Sequence, residues 1–214
     1  KSTSLLRHTT VWQIDRHSTR LYPQMVVSAY LVDPPTLGGL LSETLRDESQ
    51  LTSRLGCLPD DYNLDTHRFV QSSIDTNRVR LKASRYAARG LLPIANLLGS
   101  SPWYDQLIGL VEDLFGNSET ESPFSQGPLP SGAAEVNGNL LRALIWLASD
   151  SGNKKCLDLA YRIGDSYCLG ILPKNGGIPA ANWDWNLDQA IDPRISLSED
   201  GLVIFEGLVM LYGH

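Results

Sequence analysis

The sequence predicts an all-α protein made of antiparallel helical hairpins. Three observations predict it. Beyond residue 35 apolar residues recur near a 3.6-residue period. Capping residues, prolines and glycines stand where the periodic runs begin and end. The connections between runs alternate between tight and long, as they do when helices pair antiparallel. The composition agrees: 214 residues, 42% hydrophobic and 20% charged, with a net charge of −6, cannot be an intrinsically disordered chain. Its 18 Gly and 12 Pro show no period, so it is not collagen-like.

Residues 1–35 are expected to form an N-terminal irregular or strand segment, and 36–214 the helical-hairpin domain. Met25 to Val32 fits a strand or a buried helix equally, and Pro34-Pro35 ends it. Thr36 to Cys57 reads as the first helix, with Leu37, Leu40, Leu41, Leu45, Leu51 and Leu55 near helical spacing. Residues 58–74 read as a polar loop. Asp75 is the N-cap of a second helix that reaches Leu98, is kinked at Pro93 and stops at Gly99. The third helix runs from Pro102 to Gly116, with proline in its favoured first turn. A Ser/Pro/Gly-rich loop covers 117–131. The fourth helix spans Ala133 to Ser149 and the fifth Lys154 to Leu169. A Gly/Pro/Trp-rich loop fills 170–198, and the last helix opens at Glu199-Asp200-Gly201 and runs to Tyr212. Gly99-x3-Trp103-Tyr104 aligns with Gly152-x3-Cys156-Leu157, a repeat of about 50 residues, longer than the tetratricopeptide or ankyrin period.

Several function classes are disfavoured. Nucleic-acid binding needs a basic footprint. The densest basic run, Arg78, Arg80, Lys82, Arg85 and Arg89, falls on more than one helical face, so no nucleic-acid partner is expected. The most apolar segment, Gly201 to Tyr212, is interrupted by Glu206 and is shorter than the ~20 residues a membrane span needs, so no membrane partner is expected. Three cysteines (Cys57, Cys156, Cys168), no CxxC and no N-x-S/T acceptor point towards a reducing compartment such as the cytoplasm. His67 among Asp61, Tyr62 and Asp65 does not offer matched metal ligands, and no metal is expected. The nucleophile-elbow, P-loop and dinucleotide-binding motifs are missing, so no cofactor is expected.

Gly138-Asn-Leu-Leu-Arg-Ala-Leu144, then Gly152-Asn153-Lys154-Lys155-Cys156-Leu157-Asp158-Leu159-Ala160, Asp165-Ser166-Tyr167, Asp200-Gly201 and the Gly207-Leu208…Leu211-Tyr212 ending resemble the six-hairpin glycosidase-like superfamily. The resemblance covers roughly residues 75–214 and rests on packing and turn signatures. It implies part of an (α/α)6 toroid and a carbohydrate-active, glycoside hydrolase-like enzyme with an oligosaccharide ligand. A full toroid of that kind has twelve helices, and this chain supplies about six. With the chain stopping at Tyr212-Gly213-His214 directly behind an apolar run, the expectation is a processed chain or, in preference, a piece of a longer one whose remainder would be a partner.

Hairpins standing in one sense would put the three long loops on a single rim. That rim would carry acidic and aromatic residues, which sugar chemistry uses: two carboxyls for acid and base or nucleophile, and flat rings for the apolar faces of pyranoses. The candidate catalytic carboxylates are Glu135, Asp200 and Asp184. The candidate substrate-binding residues are Trp183, Trp185, Asn137, Tyr62 and His67. Each has a plainer alternative. For Glu135 it is to complement the positive end of its helix, and Asp75, Glu199 and Asp200 are expected as plain helix caps. In an extended Trp183-Asp184-Trp185 the indoles point one way and the carboxylate the other, which suits a hydrophobic plug or a platform better than an acid. Few Lys or Arg lie on the rim apart from Lys174 and Arg194, which favours neutral sugars and hydrolysis over uronates and elimination. The alternative function is a non-catalytic helical-repeat scaffold that binds a protein partner.

Overall fold

The structure, a computed structural model, describes residues 10–13, 23–51, 55–56, 61–71, 73–118, 120–196 and 200–214. It is mostly helical with a few short strands, and divides into two compact units, one up to Asp113 and one from Leu114 onward.

In the first unit β1 (Val11–Gln13), β2 (Asp61–Asn63) and β3 (Arg68–Phe69) form an antiparallel sheet in that order. Trp12, opposite Tyr62 in the register, is fully buried. The ambiguous segment is helical: α1 (Pro23–Val32) buries Val26 and Val27. Asp33 then accepts a hydrogen bond from Thr36 N and opens a π-helical turn, π1 (Pro34–Gly38), which leads into α2 (Gly39–Ser49). The N-terminal 35 residues are therefore not all strand or irregular. The first helix of the sequence reading ends at Ser49, short of Cys57. There Gln50 N and Leu51 N bond back three residues, to Asp47 O and Glu48 O, closing the helix with tightened turns. α3 (Thr76–Arg85) is capped by Asp75, whose carboxylate accepts from Arg78 N at 3.1 Å, as expected. It continues through π2 (Tyr86–Leu91) into α4 (Leu92–Leu98), which Gly99 ends at φ 65°. α5 (Pro102–Gly116) has the predicted bounds.

The second unit opens with a short hairpin, β4 (Thr120–Glu121) and β5 (Pro128–Leu129). α6 (Ala134–Ser151) follows, then a tight turn at Gly152, and then α7 (Lys154–Asp165), whose N-cap Asn153 accepts from Lys155 N and Cys156 N. α7 passes through π3 (Ser166–Ile171) into α8 (Leu172–Lys174). The hairpin β6 (Asn182–Asp184) and β7 (Gln189–Asp192) precedes the last helix, α9 (Asp200–Tyr212). Each of the three segments read as loops thus contains strands. They are only two to four residues long, too short to show a period of two. Cys156 and Cys168 form no disulfide among the described residues; Cys57 lies outside them.

The proline break expected at Pro93 takes the form of a π turn, and it occurs twice. Gly90-Leu91-Leu92-Pro93 ends π2 and Gly170-Ile171-Leu172-Pro173 ends π3. Proline has no N–H to donate, and its ring collides with the carbonyl four residues back. Widening the preceding turn removes that collision: Leu92 N reaches Ala87 O and Leu172 N reaches Tyr167 O, five residues away.

Helix direction in the second unit is readable from contacts. A Cβ on Gly138 would lie 2.6 Å from Ile204 N and Val203 C, and one on Gly207 2.7 Å from Leu141 Cβ. Arg142 pairs with Glu206 at 3.7 Å. Partner numbers rise together, so α6 and α9 run parallel and nearly touch through two glycines. α7 returns antiparallel to α6, since Tyr167 beyond its end meets Asn137 at the start of α6. α6 is buried along most of its length, whereas α7 buries one face through Cys156, Leu159, Ala160 and Ile163. Among the described residues no helix is long and apolar enough to cross a membrane.

Candidate functional site

Six of the eight candidate residues, Glu135, Asn137, Trp183, Asp184, Trp185 and Asp200, belong to the second unit. The segment before α6 is sewn to β6: Trp183 N donates to Gly132 O at 3.0 Å, and Ala134 N donates to Ala181 O at 3.0 Å. Gly132 is required there, because a Cβ would sit 2.0 Å from Trp183 O. Within this unit the loops 117–131 and 170–198 therefore meet at one end of α6.

Glu135 occupies the first turn of α6 and is 6% exposed. Two residues further on lies Asn137, fully buried. Its Nδ2 donates to Ser131 O at 2.9 Å and to the Tyr167 hydroxyl at 3.3 Å, and its Oδ1 has no partner among the described residues. Leaving a buried acceptor unpaired costs about 1–3 kcal/mol. Burial holds the Tyr167 phenol far above its ordinary titration range, with the Asn137 hydrogen bond opposing, so the hydroxyl stays protonated. Asp200 opens α9, and its side chain lies outside the described residues. The parallel register still sets its level. Gly138 faces Val203 and Ile204, so position 135 stands opposite position 200 on the neighbouring helix.

The hairpin supplies Trp183, Asp184 and Trp185. Both indoles point inward and are buried, at 4% and 6% exposure, with ring centres 6.2 Å apart. Trp185 packs over Gly170 together with Phe124. Their Nε1 donors lack partners among the described residues. Buried rings present no open face to a sugar, so the plug geometry prevails over the platform. Asp184 lies on the opposite face, half-buried, and its Oδ1 accepts from Asn186 N at 2.9 Å and Leu187 N at 3.1 Å. Its visible work is to close the turn.

Tyr62 and His67 belong to the first unit. Tyr62 is half-buried and packs edge-on against Phe69 with ring centres 5.4 Å apart. His67 is exposed in the turn of the β2–β3 hairpin at φ 52°. That hairpin has the same design as β6–β7. Asn63 Oδ1 accepts from Asp65 N and Thr66 N, as Asp184 Oδ1 does from its own turn, and His67 and Asp188 hold equivalent left-handed positions at φ 52° and 53°. This equivalence lies in polar turn residues separated by over a hundred positions, outside the helical repeat that the sequence offers.

Tyr167 and Ser131 were not among the candidate residues. The signal for Tyr167 was present in the second Gly-x-Leu-Pro segment, which carries a buried tyrosine just as Tyr86 opens the first. Among the described residues no three of His, Cys, Asp and Glu converge as a metal site requires. The chain matches no family model, no curated protein and no solved structure.

Proposed function

We propose that the chain is a carbohydrate-active enzyme of the glycoside hydrolase type, or a segment of one, with Glu135 and Asp200 as its carboxylate pair. The supporting observation is the parallel packing of α6 on α9 through Gly138 and Gly207. Two helices in that contact lie about 8 Å apart at their axes. Backbone positions 135 and 200 are level on them, which is the placement that a pair of carboxyls working at the ~5–10 Å separation of retaining and inverting hydrolases would need. Parallel α6 and α9, linked through the antiparallel α7, also follow the inner-outer-inner order of an (α/α) toroid, which is the architecture we infer. Asn137 is as buried as the indoles, and its amide braces the start of α6 through Ser131 O and the Tyr167 hydroxyl. The cations near the hairpin are already neutralised, Lys174 by Asp188 and Arg194 by Asp192. Among the described residues of 170–196 no other Lys or Arg stands ready for a uronate, which favours a neutral sugar.

The test is hydrolysis of a panel of neutral oligosaccharides by wild type, Glu135→Gln and Asp200→Asn. Each substitution should lower turnover by about 10²–10⁴-fold. The variant that still cleaves an aryl glycoside with a good leaving group has lost the proton donor. Full activity in both variants, or no hydrolysis by wild type of any substrate, ends the proposal.

A second reading draws on α9. Leu202, Phe205, Val209 and Tyr212 form a stripe at helical spacing, and Leu202, Val209 and Tyr212 are 49%, 71% and 96% exposed. An apolar stripe of that kind suits a scaffold that docks a helix of a partner protein. It expects an inactive chain whose association is abolished by Val209→Glu.

A further inference from the structure

A second polar site lies on the outward face of α7. The loop between β4 and β5 folds over that face and forms a cleft of about 440 Å³, within the ~300–1,000 Å³ of small-ligand sites. Asp158, Tyr161, Arg162 and Asp165 line one side, at positions i, i+3, i+4 and i+7 of one helix face; Phe124 and Gln126 line the other. The loop is fixed in place. Ser122 Oγ and Ser166 Oγ are 2.6 Å apart, the buried Ser125 Oγ bonds Ser122 O at 3.1 Å, and Gln126 and Gly127 take φ of 50° and 143°.

Arg162 is the unusual group. Its guanidinium lies close against Gly127, where a Cβ would come within 2.7 Å of Nη1. Asp158 and Asp165 are its helical neighbours one turn to either side, yet none of the three side chains makes an ion pair or hydrogen bond with any described residue. The guanidinium lies against the loop beyond ion-pair distance of both carboxylates, and all three groups line the same cleft. An anion there would meet two carboxylates, and a cation would meet the guanidinium. A vicinal diol satisfies both: its hydroxyls donate to the carboxylates while its oxygens accept from Arg162. Phe124 and the 46% exposed Tyr161 add ring surface for the C–H face of a sugar.

We propose that this cleft is a carbohydrate-binding site for a neutral, hydroxyl-rich sugar unit, separate from Glu135 and Asp200. It stands on the chemistry of its own lining and does not require the catalytic reading. The test is calorimetric titration of the full chain with maltotetraose, cellotetraose, xylotetraose and mannotetraose, and with triglycine and inorganic phosphate as zwitterionic and anionic probes. At least one oligosaccharide should bind with a Kd indifferent to salt. Arg162→Gln and Asp158→Asn should each weaken it about tenfold or more, with melting temperatures unchanged, and Glu135→Gln should leave it intact. Three results overturn the proposal: no oligosaccharide binds, binding survives Arg162→Gln and Asp158→Asn, or only triglycine or phosphate binds. Loss of binding in Glu135→Gln with retention in Arg162→Gln would assign the sugar to the other site and also overturns it.

Discussion

Gly138→Ala is the substitution that most directly probes the helix pairing behind the proposed site. In an ordinary helix interior this change would stabilise by about 1 kcal/mol, because glycine loses more backbone entropy on folding. Here the new Cβ would stand 2.6 Å from Ile204 N and Val203 C, whereas ordinary contact begins at 3.4 Å. Those are backbone atoms of another helix and cannot rotate aside, so α6 and α9 must part by most of an ångström. Overpacking of this kind costs about 1–3 kcal/mol, and a rigid neighbour puts it at the upper end. After the propensity gain, a net loss of about 1–2 kcal/mol is expected. In a unit of roughly 100 residues that lowers the melting temperature by about 4–8 °C for each kcal/mol. Gly109→Ala is the matched control, since nothing lies within 4 Å of its Cβ in α5; it should gain up to about 1 kcal/mol. Urea titration followed by far-ultraviolet circular dichroism measures both. A Gly138→Ala protein as stable as Gly109→Ala would mean that the two helices do not approach at Gly138. The level placement of residues 135 and 200 would then fall with it.

Asn153→Ala removes the acceptor for Lys155 N and Cys156 N and should cost about 1 kcal/mol in the same urea titration. Asp184→Asn keeps an acceptor oxygen in the turn, as Asn63 does in the first hairpin, and should leave stability unchanged, while Asp184→Ala loses two hydrogen bonds and should cost about 1–2 kcal/mol; loss of turnover in the stable Asn variant would give Asp184 a chemical role as well. Hydrogen bonds from Arg194 hold the Asp192 carboxyl below its ordinary range. The stability it contributes is therefore present above the usual carboxylate pKa and is lost as pH falls through the lowered one; carbon-detected NMR should show an early midpoint that Arg194→Gln returns to normal. Tyr167, raised by burial, contributes below the ordinary phenol pKa and loses that contribution only as pH rises through its elevated value, so absorbance titration should show one tyrosine that ionises only with alkaline unfolding.

The helices were legible because their signals are local. Pro102 and Gly116 bound α5 as read, Asp75 caps α3, and Gly152 and Asn153 set the turn into α7. Each of these is decided within a few residues by a missing N–H, a capping oxygen or a left-handed φ. What depended on pairing was not legible. β4 and β5 hold two residues each, and Tyr62 finds Phe69 only after the Asn63 turn closes. The π turns escaped for a related reason: a proline inside a periodic run predicts a break, but whether the helix kinks or widens is settled by packing around Gly90 and Gly170, both buried.

The candidate site divides along the same line. Glu135 and Asn137 stand out because a helix start with polar residues in its first turn is visible in sequence, and the common direction of Trp183 and Trp185 follows from strand alternation. Their burial does not, since alternation says nothing of what lies above a face. Arg162 shows the limit most clearly. Asp158, Arg162 and Asp165 at i, i+4 and i+7 have the spacing of helical ion pairs, which are worth only a few tenths of a kcal/mol. The β4–β5 loop, which lies earlier in the chain, meets Arg162 instead. With Gly127 against the guanidinium, the helix keeps three charges and spends none of them on itself. A pairing that weak is easily forgone, so only a loop contact and a modest ligand are needed to turn an ordinary helix surface into a binding face.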